Sequence, residues 1–422
     1  MKVDVPRYTE RLGSVSIHAI QHIYEFDSGR SKGFQSSHQT IRQFDYDELS
    51  SIFHHMAIVI PIKSEKLKLL EGVLCGIPNE CLVIIVSNSP RVEVNRFAME
   101  VDTLRQLSTF MAKKMVIIHQ KDAALAEIFH KLHYNSILDA KGNIRDGKAE
   151  GMVIGMILAK MYHKDYVGFV DSDNYVPGAV NEYTKIFAAG FGMATSPYSN
   201  VRVSWVYKPK VRANLLQFAK WGRISEVTNK YLNALLSYIT GFETEIIKTS
   251  NSGEHALSMP LAERLQYSSG YSIESHEFID IFEKFGGLIP SAESSQVVEK
   301  GVEIFQIETR NPHFHEDKGD LHLAEMLTAS LSTIYHSRIR PTQLAHDLRE
   351  FATEKLSDYV DHQEYSKMIK AGAGKGKGKG SKKQFSFRKF PTMQPIKVIP
   401  MEEFSKALGS ASSTLVKYGG LK

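Results

Sequence analysis

The sequence is poor in cysteine, since its 422 residues include only Cys75 and Cys81. Two cysteines build neither a disulfide framework nor a metal site by themselves, and we expect both to be reduced thiols. The sequence also lacks an apolar run of the roughly 18 residues that a membrane span requires. Residues 1–7, MKVDVPR, lack the apolar region of a secretory signal peptide. These absences predict a cytoplasmic protein with no association with membranes.

The chain has little excess of charge of either sign. It has 52 Lys and Arg against 47 Asp and Glu, which gives a net charge of +5. Much of this excess lies in the Lys/Gly-rich segment 371–383, whereas a nucleic-acid binder more typically has a basic stripe on its folded domain. We therefore expect no nucleic-acid partner. The hydrophobic fraction of 42% predicts a globular protein with a large core, and the length suggests about two or three domains.

Short apolar strands alternate with helices between residues 56 and 190. The strands are predicted at 57–62, 81–86, 115–119 and 166–170. The helices are predicted at 65–74, 95–114, 123–132 and 148–163. This alternation predicts βαβ units in an α/β protein with a Rossmann-like, mainly parallel sheet. Right-handed crossovers then place the carboxyl ends of all these strands at one edge.

The rest of the chain is less regular. Residues 1–55 are predicted to be an N-terminal extension packed on the core, with a strand near 15–20. Residues 191–340 form a mixed α+β half with strands at 202–207 and 302–308 and helices at 215–221, 230–240 and 275–285. A C-terminal helix is predicted at 341–370. Residues 371–422 are predicted to be a flexible basic linker and tail.

Two carboxylates, Asp171 and Asp173, follow directly after the predicted strand at 166–170. An open α/β sheet binds its ligands just beyond the carboxyl ends of its strands. Carboxylates there need a positive partner, and Mg²⁺ usually takes one or two carboxylates together with phosphate oxygens of a substrate. The pair therefore indicates a divalent-cation site beside a phosphorylated ligand. The alternative is a simple turn before Pro177.

The other strands of this region also end in polar residues. The segments are Pro61-Ile-Lys63, Ser87-Asn88-Ser89, His119-Gln-Lys-Asp122 and Asp171-Ser-Asp173. Because parallel strands share one edge, this recurrence favours a ligand cleft there more strongly than any single motif does. The polarity that is usual in loops explains part of the pattern.

Gly147 and Lys148 open the apolar helix predicted at 148–163. Free N–H groups, the helix dipole and the lysine charge make such a start a suitable site for a diphosphate. A true P-loop is disfavoured, because Ala149 stands where that motif has Ser or Thr. An aspartyl-nucleophile phosphatase is disfavoured too, because Tyr175 stands where those enzymes have a small residue or Val.

Three further segments have weaker signals. His313 and His315 point to the same side of an extended chain, so that one of them could complete a metal site begun by Asp173. A solvated histidine pair is the alternative. The small polar residues around Gly253 allow backbone N–H groups to approach an anion, and Arg223 suits a phosphate or carboxylate. An ordinary turn and a surface arginine are the alternatives there.

Taken together, these segments resemble the mannosyl-3-phosphoglycerate synthase family. The resemblance covers roughly residues 1–340 and rests on 6–11 PRYTER, 65–74 EKLKLLEGVL, 119–122 HQKD, 147–152 GKAEGM, 169–175 FVDSDNY, 241–245 GFETE, 252–256 SGEHA and 305–313 FQIETRNPH. The family's Asp-Ala-Asp is Asp-Ser-Asp here, and its Asn-Ala-Gly is Asn251-Ser252-Gly253. The Lys/Gly segment has no counterpart in it.

The resemblance implies a GT-A-like fold and transfer of mannose from GDP-mannose to the 2-hydroxyl of 3-phosphoglycerate, with retention and a divalent Mg²⁺ or Mn²⁺ ion. The predicted nucleoside pocket contains Pro61, Lys63, Glu65, Ser87, Asn88, Gln120 and Lys121. Lys148 is predicted to neutralise the diphosphate, Asp171 to orient the ribose or the metal, and Asp173 to bind the metal with His315 or His313. The predicted acceptor residues are Arg223, Thr249, Ser250 and Asn251.

Two other functions fit parts of the sequence. A sugar nucleotidyltransferase would also place acidic metal ligands beside a sheet, and it would release pyrophosphate instead of a nucleoside diphosphate. A polyanion-binding protein would act through the Lys/Gly segment. A homodimer is compatible with the sequence, which does not determine the oligomeric state.

Overall fold

The computed structural model describes residues 1–26, 40–212, 215–219, 222–290, 293, 295–314, 320–356, 385–411 and 414–421. The β-strands are β1 Lys2–Asp4, β2 Thr9–Leu12, β3 Val15–His18, β4 Gln21–Glu25, β5 Ile41–Gln43, β6 Met56–Ile62, β7 Leu82–Ser87, β8 Met115–His119, β9 Tyr166–Phe169, β10 Ser199–Ser204, β11 Lys208–Arg212, β12 Leu215–Ala219, β13 His255–Ser258, β14 Tyr267–Ser268, β15 Val302–Glu308, β16 Thr392–Met393 and β17 Leu415–Tyr418. The α-helices are α1 Tyr46–His54, α2 Leu67–Gly76, α3 Arg96–Met111, α4 Ala123–Lys131, α5 Lys148–Met161, α6 Pro177–Met193, α7 Arg223–Thr240, α8 Met259–Ala262, α9 Ile273–Phe285, α10 Ser295–Lys300, α11 Asp320–Tyr335, α12 Thr342–Lys355 and α13 Met401–Ser410.

One large sheet forms the centre of the molecule, with the strand order β17-β8-β7-β6-β9-β13-β10-β15-β4-β1-β5. Strands β6, β7, β8 and β9 are parallel to one another. Strand β13 is antiparallel to both β9 and β10, and it joins this parallel half to a second half in which β10 and β15 are parallel. The α/β class and the mainly parallel sheet predicted for residues 56–190 are therefore confirmed.

Helix α5 brings its first residue, Lys148, to the edge of the sheet where β6 to β9 end. Residues 149–159 of this helix are all buried, as its uniformly apolar sequence predicts. Gly155 packs directly against Val59 of β6, and a Cβ atom at this position would collide with that valine. This close approach places α5 flat on one face of the sheet, while α6 covers the opposite face.

Residues 1–55 are predicted from the sequence to pack on the core as an extension. In the structure, strands of this segment are also part of the central sheet. Strand β3 overlaps the strand predicted near 15–20, and both β3 and β4 pair in parallel with β15. Strands β1 and β5 extend the sheet further. The pairing covers the edge of β15, which would otherwise expose unpaired backbone groups.

One helix predicted in the mixed half is wrong. Residues 215–219 form strand β12, which pairs with β11 in an antiparallel hairpin. A short apolar segment fits a helix or a strand equally well by periodicity, and the pairing partner decides between them. The helices predicted at 230–240 and 275–285 are present as parts of α7 and α9.

The prediction of a flexible tail is wrong for residues 385–411 and 414–421. Strand β16 pairs with β14, helix α13 packs against α4 and α5, and β17 extends the central sheet beside β8. Phe404 and Leu408 of α13 are buried, so this part of the chain has the apolar residues that the Lys/Gly segment lacks. The predicted linker 371–383 and residues 357–370 of the predicted C-terminal helix lie outside the described residues.

Leu408→Ala is expected to destabilise the whole protein by about 3 kcal/mol, because it leaves a cavity where α13 meets the core. Urea unfolding followed by circular dichroism measures this change. Lys406→Ala, at an exposed position of the same helix, is the control and should stay within about 0.5 kcal/mol of the parent. Equal effects of the two substitutions would contradict the packing of this helix.

Within the described ranges, no helix combines the length and the apolar character that crossing a membrane requires.

Candidate active site

A cleft with about 850 Å³ of space free of protein atoms opens at the carboxyl ends of β6, β7, β8 and β9. This figure includes open solvent at the mouth of the cleft. Residues predicted from the sequence that line it are Pro61, Lys63, Glu65, Asn88, Gln120, Lys148, Asp171 and Asp173. Gly147, from the helix start predicted to bind a diphosphate, lines it too. The sequence did not predict roles for the other lining residues, which are Asp146, Ser172, Gly270, Tyr271, His322 and Met326.

Ser87 and Lys121 do not place their side chains in this cleft, although both were predicted to line it. Ser87 is fully buried and its Oγ donates to Glu100 Oε2 at 2.7 Å. Lys121 Nζ donates to the backbone carbonyl of Ile144. Both residues therefore support the wall of the cleft from behind, because side chains at the end of a strand alternate between its two sides.

Asp146 organises one end of the cleft. Its carboxylate lies 3.2 Å from Lys63 Nζ and accepts a hydrogen bond from Asn88 Nδ2, so it connects the ends of β6 and β7. The backbone of the same loop is held by Gln120, whose Nε2 donates to the carbonyl of Gly147 at 3.0 Å. The sequence signal for Asp146 was its place directly before Gly147-Lys148.

Lys148 is the cation at the centre of the cleft. Its Nζ lies 2.7 Å from Asp171 Oδ1 and 3.0 Å from Glu274 Oε1, and its side chain is only 19% exposed. Burial by itself would lower the pKa of Lys148, but the two carboxylates outweigh it and raise the pKa well above the ordinary value. Lys148 is therefore charged over the whole physiological range. Glu274, on α9, was not predicted from the sequence.

Asp171 and Asp173 lie together at the end of β9, on the floor of the cleft. Asp173 is 8% exposed, and Asp171 approaches Gly253 so closely that a Cβ atom there would lie 2.6 Å from Asp171 Oδ2. Two carboxylates suit a hard divalent cation that takes its remaining ligands from phosphate and water. The described residues contain no group of three His, Cys, Asp or Glu side chains arranged to hold a metal. The donor set therefore fits a cation that binds together with a diphosphate.

His313 is buried behind the cleft. Its ring is stacked on Trp205 with 4.6 Å between ring centroids, and its Nδ1 lies 3.2 Å from the Tyr183 hydroxyl. The structure does not place it among the residues that line the cleft, so its role as a metal ligand stays a prediction. His315 lies outside the described residues.

Glu254 is a second carboxyl group that the sequence did not single out, although it lies in the segment 252–256. It is fully buried, and Asn174 Nδ2 donates to its Oε1 at 3.0 Å. Burial, reinforced by the charge of Asp171, raises the pKa of Glu254 to about 8. A protonated Glu254 limits the negative charge at this end of the sheet at neutral pH.

The loop predicted to bind the acceptor is held from below by Arg202. This buried guanidinium donates to the carbonyls of Thr249 and Ser250 at 3.0 and 3.2 Å. The side chains of Thr249 and Ser250 are buried, while Asn251 Nδ2 donates to Ser330 Oγ at 2.7 Å. Arg223 is the first residue of α7, and its side chain lies outside the described part of the structure. Acceptor contacts by these residues stay a prediction.

A parallel sheet that presents two carboxylates, a buried lysine and a helix N-terminus to one cleft has the groups expected of an enzyme that binds a phosphorylated ligand. A family model described as mannosyl-3-phosphoglycerate synthase matches residues 5–407 of the chain. The mannosyl-3-phosphoglycerate synthase of Pyrococcus furiosus is 43% identical over 419 residues, which are 99% of this chain and 100% of the relative. The chain belongs to the mannosyl-3-phosphoglycerate synthase family.

A second curated relative and a solved structure are also similar to the chain. The mannosyl-3-phosphoglycerate synthase of Aeropyrum pernix is 38% identical over 340 residues, 80% of this chain and 86% of the relative. Among solved structures, the glucosyl-3-phosphoglycerate synthase of Mycobacterium tuberculosis in complex with phosphoglyceric acid is 16% identical, with a TM-score of 0.44. That alignment covers 70% of this chain and 83% of the solved chain.

Proposed function

We propose that the protein transfers mannose from GDP-mannose to the 2-hydroxyl of 3-phosphoglycerate, with retention of configuration, and releases GDP. The observation that carries the proposal is the cleft around Lys148, Asp171 and Asp173, in a chain that matches the family over residues 5–407. The donor, a nucleoside diphosphate linked to a sugar, requires a nucleoside wall, a cation for the diphosphate and carboxylates for a metal. Each of these requirements corresponds to a different group in the cleft.

The nucleoside is proposed to lie against Lys63, Glu65 and Asn88, at the ends of β6 and β7. The diphosphate then reaches the N-terminus of α5, where the charge of Lys148 and the helix dipole favour an anion. The N–H of Ala149 in this first turn donates to the carbonyl of Gly270 at 3.1 Å. Asp171 shares Lys148 with Glu274 in the described structure. A diphosphate that approaches Lys148 competes with these carboxylates, so that binding the donor rearranges their ion pairs.

Asp173, with His315 or His313, would hold a divalent Mg²⁺ or Mn²⁺ ion. Such an ion supplies Lewis-acid stabilisation of the negative charge that grows on the departing diphosphate. Lys148 is proposed to stabilise the same negative charge on the departing diphosphate, because its ammonium group is held in the cleft. The charge of Lys148 would stabilise the departing GDP in addition to any bound ion.

The acceptor carries a phosphate and a carboxylate and therefore needs several donors. Arg223, at the N-terminus of α7, and the Thr249-Ser250-Asn251 loop are proposed to bind it. Arg202 fixes this loop by hydrogen bonds to its carbonyl groups. The backbone N–H groups of the loop and the α7 dipole would add to the binding of an anion.

Retention is proposed to proceed by attack of the acceptor on the same face that the diphosphate leaves. Glu254 and Glu274, the carboxyl groups next to Asp171 and Lys148, do not line the cleft in the described part of the chain. Glu274 is engaged by Lys148, and Glu254 is fully buried, which raises its pKa and disfavours its charged form. The trapping of a covalent mannosyl-enzyme would contradict same-face attack.

The decisive experiment incubates the full chain with a panel of nucleotide sugars, 3-phosphoglycerate and Mg²⁺ or Mn²⁺, and identifies the products by mass. Mannosyl-3-phosphoglycerate and GDP are the expected products with GDP-mannose. Release of pyrophosphate would instead indicate a nucleotidyltransferase. Deletion of residues 371–383 should leave the transfer unchanged, and a loss of polyanion binding alone would reveal a separate role of that segment.

A further inference from the structure

A buried carboxylate lies behind the nucleoside wall of the cleft. Glu100, on α3, is 1% exposed and does not line the cleft. Its Oε2 accepts a hydrogen bond from Ser87 Oγ at 2.7 Å, and its Oε1 accepts one from Ser89 Oγ at 2.6 Å. These two serines flank Asn88, whose side chain lines the cleft. One carboxylate thus holds both neighbours of a residue on the nucleoside wall.

The same hydrogen bonds reach the loop that follows β6. Ser89 Oγ accepts a hydrogen bond from the backbone N–H of Ser64 at 2.8 Å. Ser64 has a φ of 66°, a left-handed conformation that is unfavourable for a residue other than glycine and persists only where the surroundings hold it. Its neighbours Lys63 and Glu65 both line the cleft. Ser89 therefore couples the strained turn after β6 to the carboxylate of Glu100.

The end of β8 is connected to the same group of residues. His119 Nε2 lies 2.8 Å from the carbonyl oxygen of Ser89, and the N–H of Gln120 donates to the carbonyl of Ser87 at 2.6 Å. Gln120 in turn holds the loop before Lys148. The loops after β6, β7 and β8 are therefore joined through Ser87 and Ser89, and Glu100 is the buried acceptor that orients both hydroxyls.

We propose that Glu100 is a positioning residue for donor binding, which fixes the strand-end loops so that Lys63, Glu65 and Asn88 keep their places on the nucleoside wall. This inference rests on the proposed function, since it takes the ligand to be a nucleoside diphosphate. Glu100 acts through Ser87 and Ser89 and does not touch the ligand. Its loss should weaken the binding of the nucleotide without affecting the acceptor.

Glu100→Gln keeps the size of the side chain but replaces one acceptor oxygen with an N–H donor, so that one serine O–H loses its acceptor and the orientation of that hydroxyl changes. The dissociation constant of GDP, measured by calorimetry, is expected to rise about tenfold, as is usual when a group that orients ligand-binding residues is changed. The KM for GDP-mannose should rise in parallel. The value of kcat and the KM for 3-phosphoglycerate should change less than about twofold.

Glu303→Gln is the matched control. Glu303, on β15, is also a mostly buried carboxylate, and it accepts hydrogen bonds from the backbone N–H groups of Thr195 and Ser196 at 2.7 Å. It bonds to no residue that lines the cleft. A loss of stability comparable to that of Glu100→Gln with unchanged GDP binding is expected, which separates positioning from general destabilisation.

Ser89→Ala provides an independent variant that keeps the carboxylate and removes the hydroxyl that holds Ser64. It should also weaken GDP binding several-fold, and it tests the inference if Glu100→Gln does not fold. GDP binding within twofold of the parent in a folded Glu100→Gln or in Ser89→Ala would overturn the inference. If the parent protein binds no GDP, the proposed function and the inference are both wrong. If the parent binds GDP and both variants bind it equally tightly, the inference alone is wrong.

Discussion

Asp173→Ala is expected to lower kcat for mannose transfer by about a thousandfold, the size of effect seen when a group that stabilises charge in the transition state is removed. Asp173 is the cleft carboxylate proposed to bind the divalent ion directly. Removal of the metal from the parent by a chelator should cause a loss of similar size. Steady-state assays with Mg²⁺ or Mn²⁺ measure both effects.

The fold of this variant should be unchanged. Asp173 is one of two carboxylates on the floor of the cleft, so its removal relieves repulsion, and we expect the free energy of unfolding to stay within about 1 kcal/mol. Asp102→Ala, at an exposed position of α3 where the aspartate pairs with Arg105 at 3.0 Å, is the control and should keep full activity. Activity of Asp173→Ala within tenfold of the parent would refute the metal role.

Lys148→Met is expected to reduce kcat/KM for GDP-mannose at least about a hundredfold, because it removes the charge that neutralises the diphosphate. It should also destabilise the protein by about 3 kcal/mol at pH 7 to 8, since Asp171 and Glu274 lose their shared cation while mostly buried. Kinetics with the donor varied and chemical unfolding at several pH values measure the two effects separately.

The pH dependence of this destabilisation has a definite sign. The pKa of Lys148 is raised in the folded protein, so its stabilising contribution is complete below its ordinary pKa and is lost only at strongly alkaline pH. Across neutral pH the charge of Lys148 itself therefore adds no pH dependence to the difference between variant and parent.

Lys160→Met is the matched control for this experiment. Lys160 lies on the same helix, pairs with Glu263 at 3.3 Å and has a side chain that is 20% exposed, close to that of Lys148. It is far along α5 from the cleft. We expect a smaller loss of stability and unchanged donor kinetics. A similar loss of donor affinity in both variants would show that α5 tolerates neither change and that Lys148 has no special role.

Much of the candidate site could be predicted because it lies in local sequence patterns. The buried strand before Asp171, the polar ends of neighbouring strands and the Gly147-Lys148 helix start are each visible within a few residues. A parallel sheet places such strand ends at one edge. Their proximity could therefore be predicted from the sequence, although the distances between them could not. The substrates were inferred from the family resemblance, because hydrophobic periodicity does not identify a substrate.

The partners of these groups could not be predicted. Glu274 reaches Lys148 from α9, 126 residues later in the chain, and nothing in its local sequence marks it. Glu100 looks like an ordinary charged residue of an amphipathic helix, yet it is buried against two serines. The strands of the C-terminal segment were not predicted, because their apolar pattern is short. They are stabilised by pairing with β8 and β14, which are distant in the sequence.

The sequence by itself determined the α/β class, the parallel half of the sheet and the carboxylates, lysine and polar strand ends that surround the cleft, because hydrophobic periodicity and helix-start chemistry are local properties of the chain. Only the tertiary structure decided which charges are paired and which hydroxyls are buried. It paired Lys148 with two carboxylates, turned Ser87 and Lys121 away from the cleft and paired the C-terminal strands with β8 and β14. These outcomes depend on contacts between distant segments, whose energies no single stretch of sequence contains.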